Sequence, residues 1–205
     1  MKISKGDIFE RVFINEEVNL EIDQEAGSNV KIHGINASFC ITVNQLGEGC
    51  STEIYALENL HGEENVTAET HVTHAVGGGS SNQLIKFVLD DNARGRFVGD
   101  LKIAPDAQQT EAHQTNRNLL LSETAEMRTQ PQLEIYADDV QATHGASTGQ
   151  LDESALFYMQ QRGIGQQKAR QLLVNAFMKE VIEAISDQYS VIRKQLLNSI
   201  DGVVE

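Results

Sequence analysis

Apolar side chains alternate with polar ones over most of the chain. Val30 and Ile32 do so, as do Phe39, Ile41 and Val43, and Ile85, Phe87 and Leu89. Phe97, Leu101 and Ile103 follow with a glycine between, and Leu133, Ile135 and Ala137 repeat the pattern. A period of two buries one face of a strand and wets the other. Turn signals such as Gly47-Glu48-Gly49 and Asp91-Asn92 separate the runs. Many short strands are therefore predicted, as in a sandwich, a barrel or a β-solenoid. No hexapeptide or other fixed period is visible, so pattern alone leaves the three open.

Near residue 150 the period changes. Asp152 precedes Ala155-Leu156-Phe157-Tyr158-Met159 and is placed to cap a short helix. Gly163 and Gly165 then punctuate the chain. Leu172, Leu173, Ala176, Phe177, Val181, Ala184 and Ile185 fall on one stripe of a 3.6-residue helix. The stripe continues through Tyr189, Ile192, Leu196 and Ile200, with a kink predicted near Ser186-Asp187. Both prolines lie earlier, and only Gly202 of the 16 glycines follows Gly165. The chain thus divides into a β core over residues 1–150 and a helical portion over residues 151–205. So long an apolar stripe either covers the β core or offers a partner a docking face.

Charge narrows the partners. The 205 residues carry 16 Lys and Arg against 30 Asp and Glu, a formal net charge of −14. Such a chain is a poor ligand for nucleic acid or an anionic membrane surface, which need basic residues in surplus. The 40% hydrophobic content supports a folded core. No apolar run approaches the roughly 18 residues of a membrane span, and the opening MKISKGDIFERVF lacks the apolar stretch of a secretory signal. Cys40 and Cys50 are too few for a disulfide framework, so a reducing, cytoplasmic setting is expected.

Spacing names no enzyme. His71 and His74 are three apart in a segment that reads as strand, so they point to opposite faces. There is no HExxH or CxxC zinc signature. Gly77-Gly78-Gly79-Ser80-Ser81 lacks the Gly-Lys-Ser/Thr ending of a phosphate loop, and Gly163-Ile164-Gly165 is too short for a dinucleotide fingerprint. Asp90-Asp91 and Asp138-Asp139 are neighbours that cannot share a strand face. A GxSxG elbow is absent. Cys40 and Cys50 read as small buried hydrophobes. The enzymatic alternative is a β-solenoid acyltransferase or polysaccharide-active protein with His144 or His113 as general base.

A series of short motifs changes the weighing. Gly95-Arg96-Phe97-Val98-Gly99, Asp106-Ala107-Gln108-Gln109-Thr110 and Asn118-Leu119-Leu120-Leu121-Ser122 come first. Pro131 to Val140, His144-Gly145-Ala146, Gly149-Gln150-Leu151-Asp152, Leu156-Phe157-Tyr158 and Arg162-Gly163-Ile164 follow. In that order they closely resemble the C-terminal part of the SufB/SufD family of iron–sulfur cluster assembly proteins, with the SufD branch nearer. The resemblance implies a right-handed parallel β-helix followed by a small helical domain. It also implies a non-catalytic scaffold subunit that pairs through its β-helix with a SufB-type subunit or with itself, and binds a SufC-type ATPase through its C-terminal helices.

Site residues follow from the same resemblance. His144 matches the family histidine at the subunit interface, a ligand for a transient iron–sulfur cluster shared with a partner chain and not held by the isolated chain. Gln132, Leu133, Glu134, Ile135, Tyr136 and Ala137 match the pairing strand. Phe157, Tyr158, Arg162, Gly163, Ile164, Leu172, Leu173 and Phe177 match the ATPase-docking helices. His74 matches a further family histidine. Two departures stand out. Ala142 occupies a position where many relatives carry cysteine, and Gly79 one where some do, so ligation by this chain would rest on His144. The family also carries more β-helix and a helical domain ahead of the matched part. A solenoid that starts partway in needs a cap on its first coil. The opening segment from Met1 to Val30, with Ile8, Phe9, Val12, Phe13 and Ile14, is expected to supply it.

Overall fold

The computed structural model describes residues 1–201, with side chains through Ser199. Ile200 of the predicted stripe, Gly202 and the end of the helical portion at residue 205 lie outside the described side chains. One six-stranded sheet orders β1 (Lys2–Ile3), β3 (Glu17–Gln24), β5 (Ser38–Gln45), β7 (Asn65–His74), β9 (Arg94–Ile103) and β11 (Glu126–Ile135). The other orders β2 (Ile8–Ile14), β4 (Asn29–Ile35), β6 (Ser51–Leu60), β8 (Ser80–Leu89), β10 (Thr110–Leu120) and β12 (Val140–Gly149). Successive strands therefore alternate between the sheets, and each stacks in parallel on the strand two before it. That winding is a β-solenoid, which resolves the three β options.

The hidden repeat has a physical reason. Asn29 stacks on Ile8, Ser80 on Ser51 and Glu111 on Ser80, so the sequence separation between stacked partners widens from the first coils to the last. Strands grow with the coils, from seven residues in β2 and β4 to ten in β6 and β8. A coil of changing length stays in spatial register while its sequence period drifts. The opening segment from Met1 to Val30 is not a separate cap. It forms β1, β2 and β3 and begins β4, and so belongs to the coils of the solenoid themselves.

Between the sheets lie the inward positions of each strand: Ile22, Ile32, Ile41, Ile54, Ile85, Phe87, Phe97, Leu101 and Ile103 among them. Phe13 meets Phe39 edge to face at 5.7 Å. Each such aliphatic or aromatic side chain contributes roughly 1.5–3 kcal/mol on burial. One corner is polar instead. Gln24, Gln45 and His74 stack in register on β3, β5 and β7. Gln24 Nε2 donates to the carbonyls of Ser28 and Ser51, and Gln45 Nε2 to Thr52 Oγ1 and the Ser80 carbonyl. His74 Nε2 lies 2.8 Å from Ser81 Oγ. This ladder joins the two sheets where the chain turns between them.

The tail follows the predicted change of period. Asp152 Oδ1 accepts from the Ser154 amide and caps α1 (Glu153–Gln161). Gly163, at φ +82°, closes that helix in the left-handed conformation that glycine adopts without strain. Next come α2 (Gln166–Glu183), a 3₁₀ turn (Asp187–Tyr189) at the predicted kink, and α3 (Ser190–Asp201). Val174, Met178, Val181, Ile182 and Ile185 cover Ile35, Leu57, Leu84, Val88 and Leu119, outward residues of β4, β6, β8 and β10. The helix thus runs along one outer face of the solenoid, back toward its first coils. There the Glu10 carboxylate accepts from Ser186 Oγ and Gln188 Nε2, and the Glu10 carbonyl from Tyr189 Oη. Among the described residues no helix is long and apolar enough to cross a membrane.

Candidate functional site

The last coil is bare. β11 and β12 are the terminal strands of their sheets, so along their outer edges the backbone N–H and C=O groups have no neighbouring strand. Pro131 sits in β11, where a terminal strand tolerates the missing donor. His144 stands in the middle of β12 beside Gln114, which in turn lies beside Gln83. Parallel strands in register put paired side chains on the same face. Gln114 is buried, and its amide lies close against Gly99 of the opposite sheet. His144 therefore belongs to a row that faces the lumen. It is exposed because no strand follows β12 in its sheet.

The row behind the imidazole is unusual. Both side-chain polar atoms of Gln83 and of Gln114 are buried without a hydrogen-bond partner among the described residues. An unpaired buried amide costs stability, about 1–3 kcal/mol for each orphaned group. Ala142, two residues before His144 on the same inward face, packs against the core. A thiolate is missing there, and His144 belongs to no three-donor group of His, Cys, Asp and Glu among the described residues. Alone, this end offers a cluster one imidazole.

His74 lies deeper. It is fully buried, and burial pushes its imidazole down to about 4, so the ring is neutral at physiological pH. A Cβ added at Gly79 would come 2.3 Å from Gln45 Oε1 and 3.2 Å from His74 Nδ1. A cysteine at position 79 would therefore have to displace the Gln45 amide. His113 points outward, with Nδ1 2.8 Å from Thr143 Oγ1 and Nε2 3.1 Å from Glu111 Oε1. His71 and His74 do point to opposite faces, as their spacing requires: His71 is half-exposed against Asp100 while His74 is buried.

The residues matched to the pairing strand divide. Gln132, Leu133, Glu134 and Ile135 lie in β11, and Tyr136 and Ala137 follow it. Ile135 and Tyr136 are exposed, whereas Leu133 leans on the core and Ala137 is buried. The residues matched to the docking helices divide too. Phe157 and Tyr158 on α1 are 62% and 57% exposed, and the Arg162 guanidinium stacks 4.5 Å over the Tyr158 ring. Gly163 and Leu172 are exposed, Ile164 half-buried. Leu173 and Phe177 turn partly inward, and Phe177 packs on the solenoid under the Lys86 ammonium, 4.6 Å from its ring centroid.

Some residues of consequence escape a reading of the sequence. Lys86 lies in an alternating strand and reads as solvated, yet it is buried beneath α2, where it donates to the Phe177 carbonyl and to Glu180. Cys40 is not a buried hydrophobe as expected. Cys50 is buried, and its thiol donates to the Glu25 and Gly47 carbonyls, but Cys40 faces outward on β5. Gln83, Gln114 and His144 recur at nearly equal intervals along the chain, and that spacing is the signal that would have placed them in one row.

These features define a parallel β-solenoid with an unpaired final coil and a helical tail strapped along one side. The description "SUF system FeS cluster assembly, SufBD core domain" belongs to the family whose model matches residues 17–177. The chain therefore belongs to the SufB/SufD family. It is 40% identical over 142 residues to the iron–sulfur cluster assembly protein SufD of Escherichia coli, covering 69% of this chain and 34% of that protein. Identity is 37% over 166 residues to an iron–sulfur cluster assembly SufBD family protein of Synechocystis, covering 80% of this chain and 35% of the relative. To the SufD of Bacillus subtilis it is 32% over 165 residues, covering 80% and 37%. The chain spans about a third of the length of these relatives.

Proposed function

We propose that the chain serves as a SufD-type scaffold subunit for iron–sulfur cluster assembly in the cytoplasm. Relatives named for that process support the Suf system. The observation that carries the finer reading is the position of His144: an exposed imidazole at the head of a lumen row, on a coil whose ten-residue strands present unpaired edges. In this reading β11 and β12 pair with the matching edge of a SufB-type subunit, or with a second copy. His144 then adds one nitrogen ligand to a nascent cluster whose thiolates come from the partner, an arrangement that mixed Cys/His clusters make chemically reasonable. The cluster is cargo, and the chain performs no bond-breaking step of its own.

The α1 surface supports the other contact. Neighbouring exposed apolar side chains mark interaction surfaces; Phe157 and Tyr158 are both exposed on α1, and Arg162 stacks on the Tyr158 ring. They offer an apolar and cationic edge to a SufC-type ATPase. The test is anaerobic reconstitution of the chain with SufB-type and SufC-type proteins, iron and a sulfur donor. Iron and sulfide should co-purify with the complex and fall when His144→Ala replaces the native chain. Complex formation without any His144-dependent change in cluster content would overturn the ligand role. Failure to bind either partner would overturn the scaffold reading.

A further inference from the structure

On the outer face of the odd-numbered sheet, far from the lumen, three different metal donors converge. Cys40 on β5 stacks beside Glu69 on β7, and His71 follows two residues on, on the same face. The Cys40 thiol, a Glu69 carboxylate oxygen and a ring nitrogen of His71 all lie within 4.8 Å of one another. Their neighbours prepare them for an ion. His71 Nδ1 is 2.8 Å from Asp100 Oδ2. A carboxylate there holds the proton on Nδ1 and turns the Nε2 lone pair outward, the usual support of a metal-binding imidazole. Arg96 donates to Glu69 Oε1 at 2.6 Å, which leaves the other oxygen uncommitted. Cys40 Sγ makes no hydrogen bond among the described residues, unlike Cys50. Cys40 and Glu69 also line a depression of about 210 Å³ beside β3, so an ion there has access from solvent.

We propose that Cys40, Glu69 and His71 form a binding site for a divalent transition-metal ion of the zinc class, with Asp100 as its positioning residue. The donor set decides the class. Thiolate, imidazole and carboxylate together suit zinc and ions of similar softness, and are a poor match to the all-oxygen shells of calcium or magnesium. Three protein donors leave a fourth position for water or an incoming ligand, the pattern of an exchangeable site. Partial burial and then the Glu69 charge push the Cys40 thiol up, so it carries its proton until an ion arrives. Coordination displaces that proton to solvent, so binding releases acid. The site is separate from His144, and it stands or falls independently of the scaffold reading.

Cobalt(II) is the probe. Anaerobic titration of the reduced chain with Co²⁺ should give a near-ultraviolet thiolate-to-metal charge-transfer band and intense visible bands of a four-coordinate ion, both bleached by Zn²⁺. Cys40→Ser should abolish the charge-transfer band, while Cys50→Ser and His144→Ala keep it. His71→Ala and Glu69→Gln should weaken binding, and Asp100→Asn should do so by roughly 10–100-fold, the usual effect of losing such a support. Circular dichroism confirms that each variant is folded. Absence of a charge-transfer band in the native chain would overturn the proposal, as would a band that survives Cys40→Ser or disappears with Cys50→Ser.

Discussion

Lys86 and Glu180 tie the solenoid to its tail: the buried ammonium on β8 donates to a half-exposed carboxylate on α2 and to the Phe177 carbonyl one turn before it. The Lys86 ammonium is also the main reason why the Glu180 carboxyl stays below the usual carboxylate range. A buried charge that loses its partner is costly, whereas removing the charge itself is much less so. Glu180→Ala should therefore destabilise the fold by roughly 1–3 kcal/mol, and Lys86→Met by less than a charge-stranding change. The double variant should show a coupling of about 0.5–3 kcal/mol. Urea unfolding of the four proteins measures all three quantities, and additivity would show that the pair does not act as a latch.

His144 predicts the opposite combination. Its side chain is exposed and makes no hydrogen bond among the described residues. Surface changes of this kind stay within about 0.5 kcal/mol, so His144→Ala should melt with the native chain. Cluster content of the reconstituted complex should nevertheless fall by several-fold. A matching loss of stability would mean that the imidazole serves the fold.

Two buried histidines give the fold a dependence on pH. His74 is held down to about 4 by burial, and His33 to about 4 by burial and then by Lys31, against the pull of Glu10 3.4 Å away and of Glu53. In the unfolded chain each takes up its proton near pH 6.5. Between the two values the unfolded state binds more protons, so stability falls as pH drops from about 6.5 toward 4. The loss approaches roughly 3 kcal/mol per histidine when complete. Glu58 opposes it: burial raises its carboxyl well above the ordinary value, so the folded state holds that proton at pH values where the unfolded chain has lost it. The histidines prevail because there are two. Urea unfolding at pH 7.5 and pH 5 should show the drop, and His74→Gln, which continues the Gln24–Gln45 ladder with an uncharged group, should flatten it.

The exposed ring pair on α1 separates docking from folding. Phe157→Ala and Tyr158→Ala remove side chains that the solenoid does not cover. Each should leave the melting temperature within a degree or two, in keeping with a change of about 0.5 kcal/mol or less. Binding to a SufC-type ATPase, followed by calorimetry, should weaken at least tenfold. Phe177→Ala is the contrast, because Phe177 packs under Lys86 and its loss should cost stability as well.

How much of this could be read from the sequence depended on how local the signal was. Alternation in Phe39-Ile41-Val43 and the stripe from Leu172 to Ile185 report contacts within one element, and both elements formed where expected. The winding did not show, because Asn29 and Ser80 find their stacking partners, Ile8 and Ser51, at unequal separations along the chain. Resemblance to a family supplied what period could not. Lys86 escaped notice because nothing near it in sequence reveals that α2, far along the chain, lies over it. The Cys40, Glu69 and His71 donors meet only through the register of β5 on β7. The position of His144 was legible through its motif, but its membership of a row with Gln114 and Gln83 needed the coil spacing.

The lengthening of the coils has a consequence for assembly. The solenoid widens along the chain: in the even-numbered sheet β2 is seven residues long, while the edge strand β12 is ten. Two wide ends match one another, and a two-fold union of like edges closes on itself. In such a union all ten positions of β12 find a partner, and none of that edge's backbone is left over.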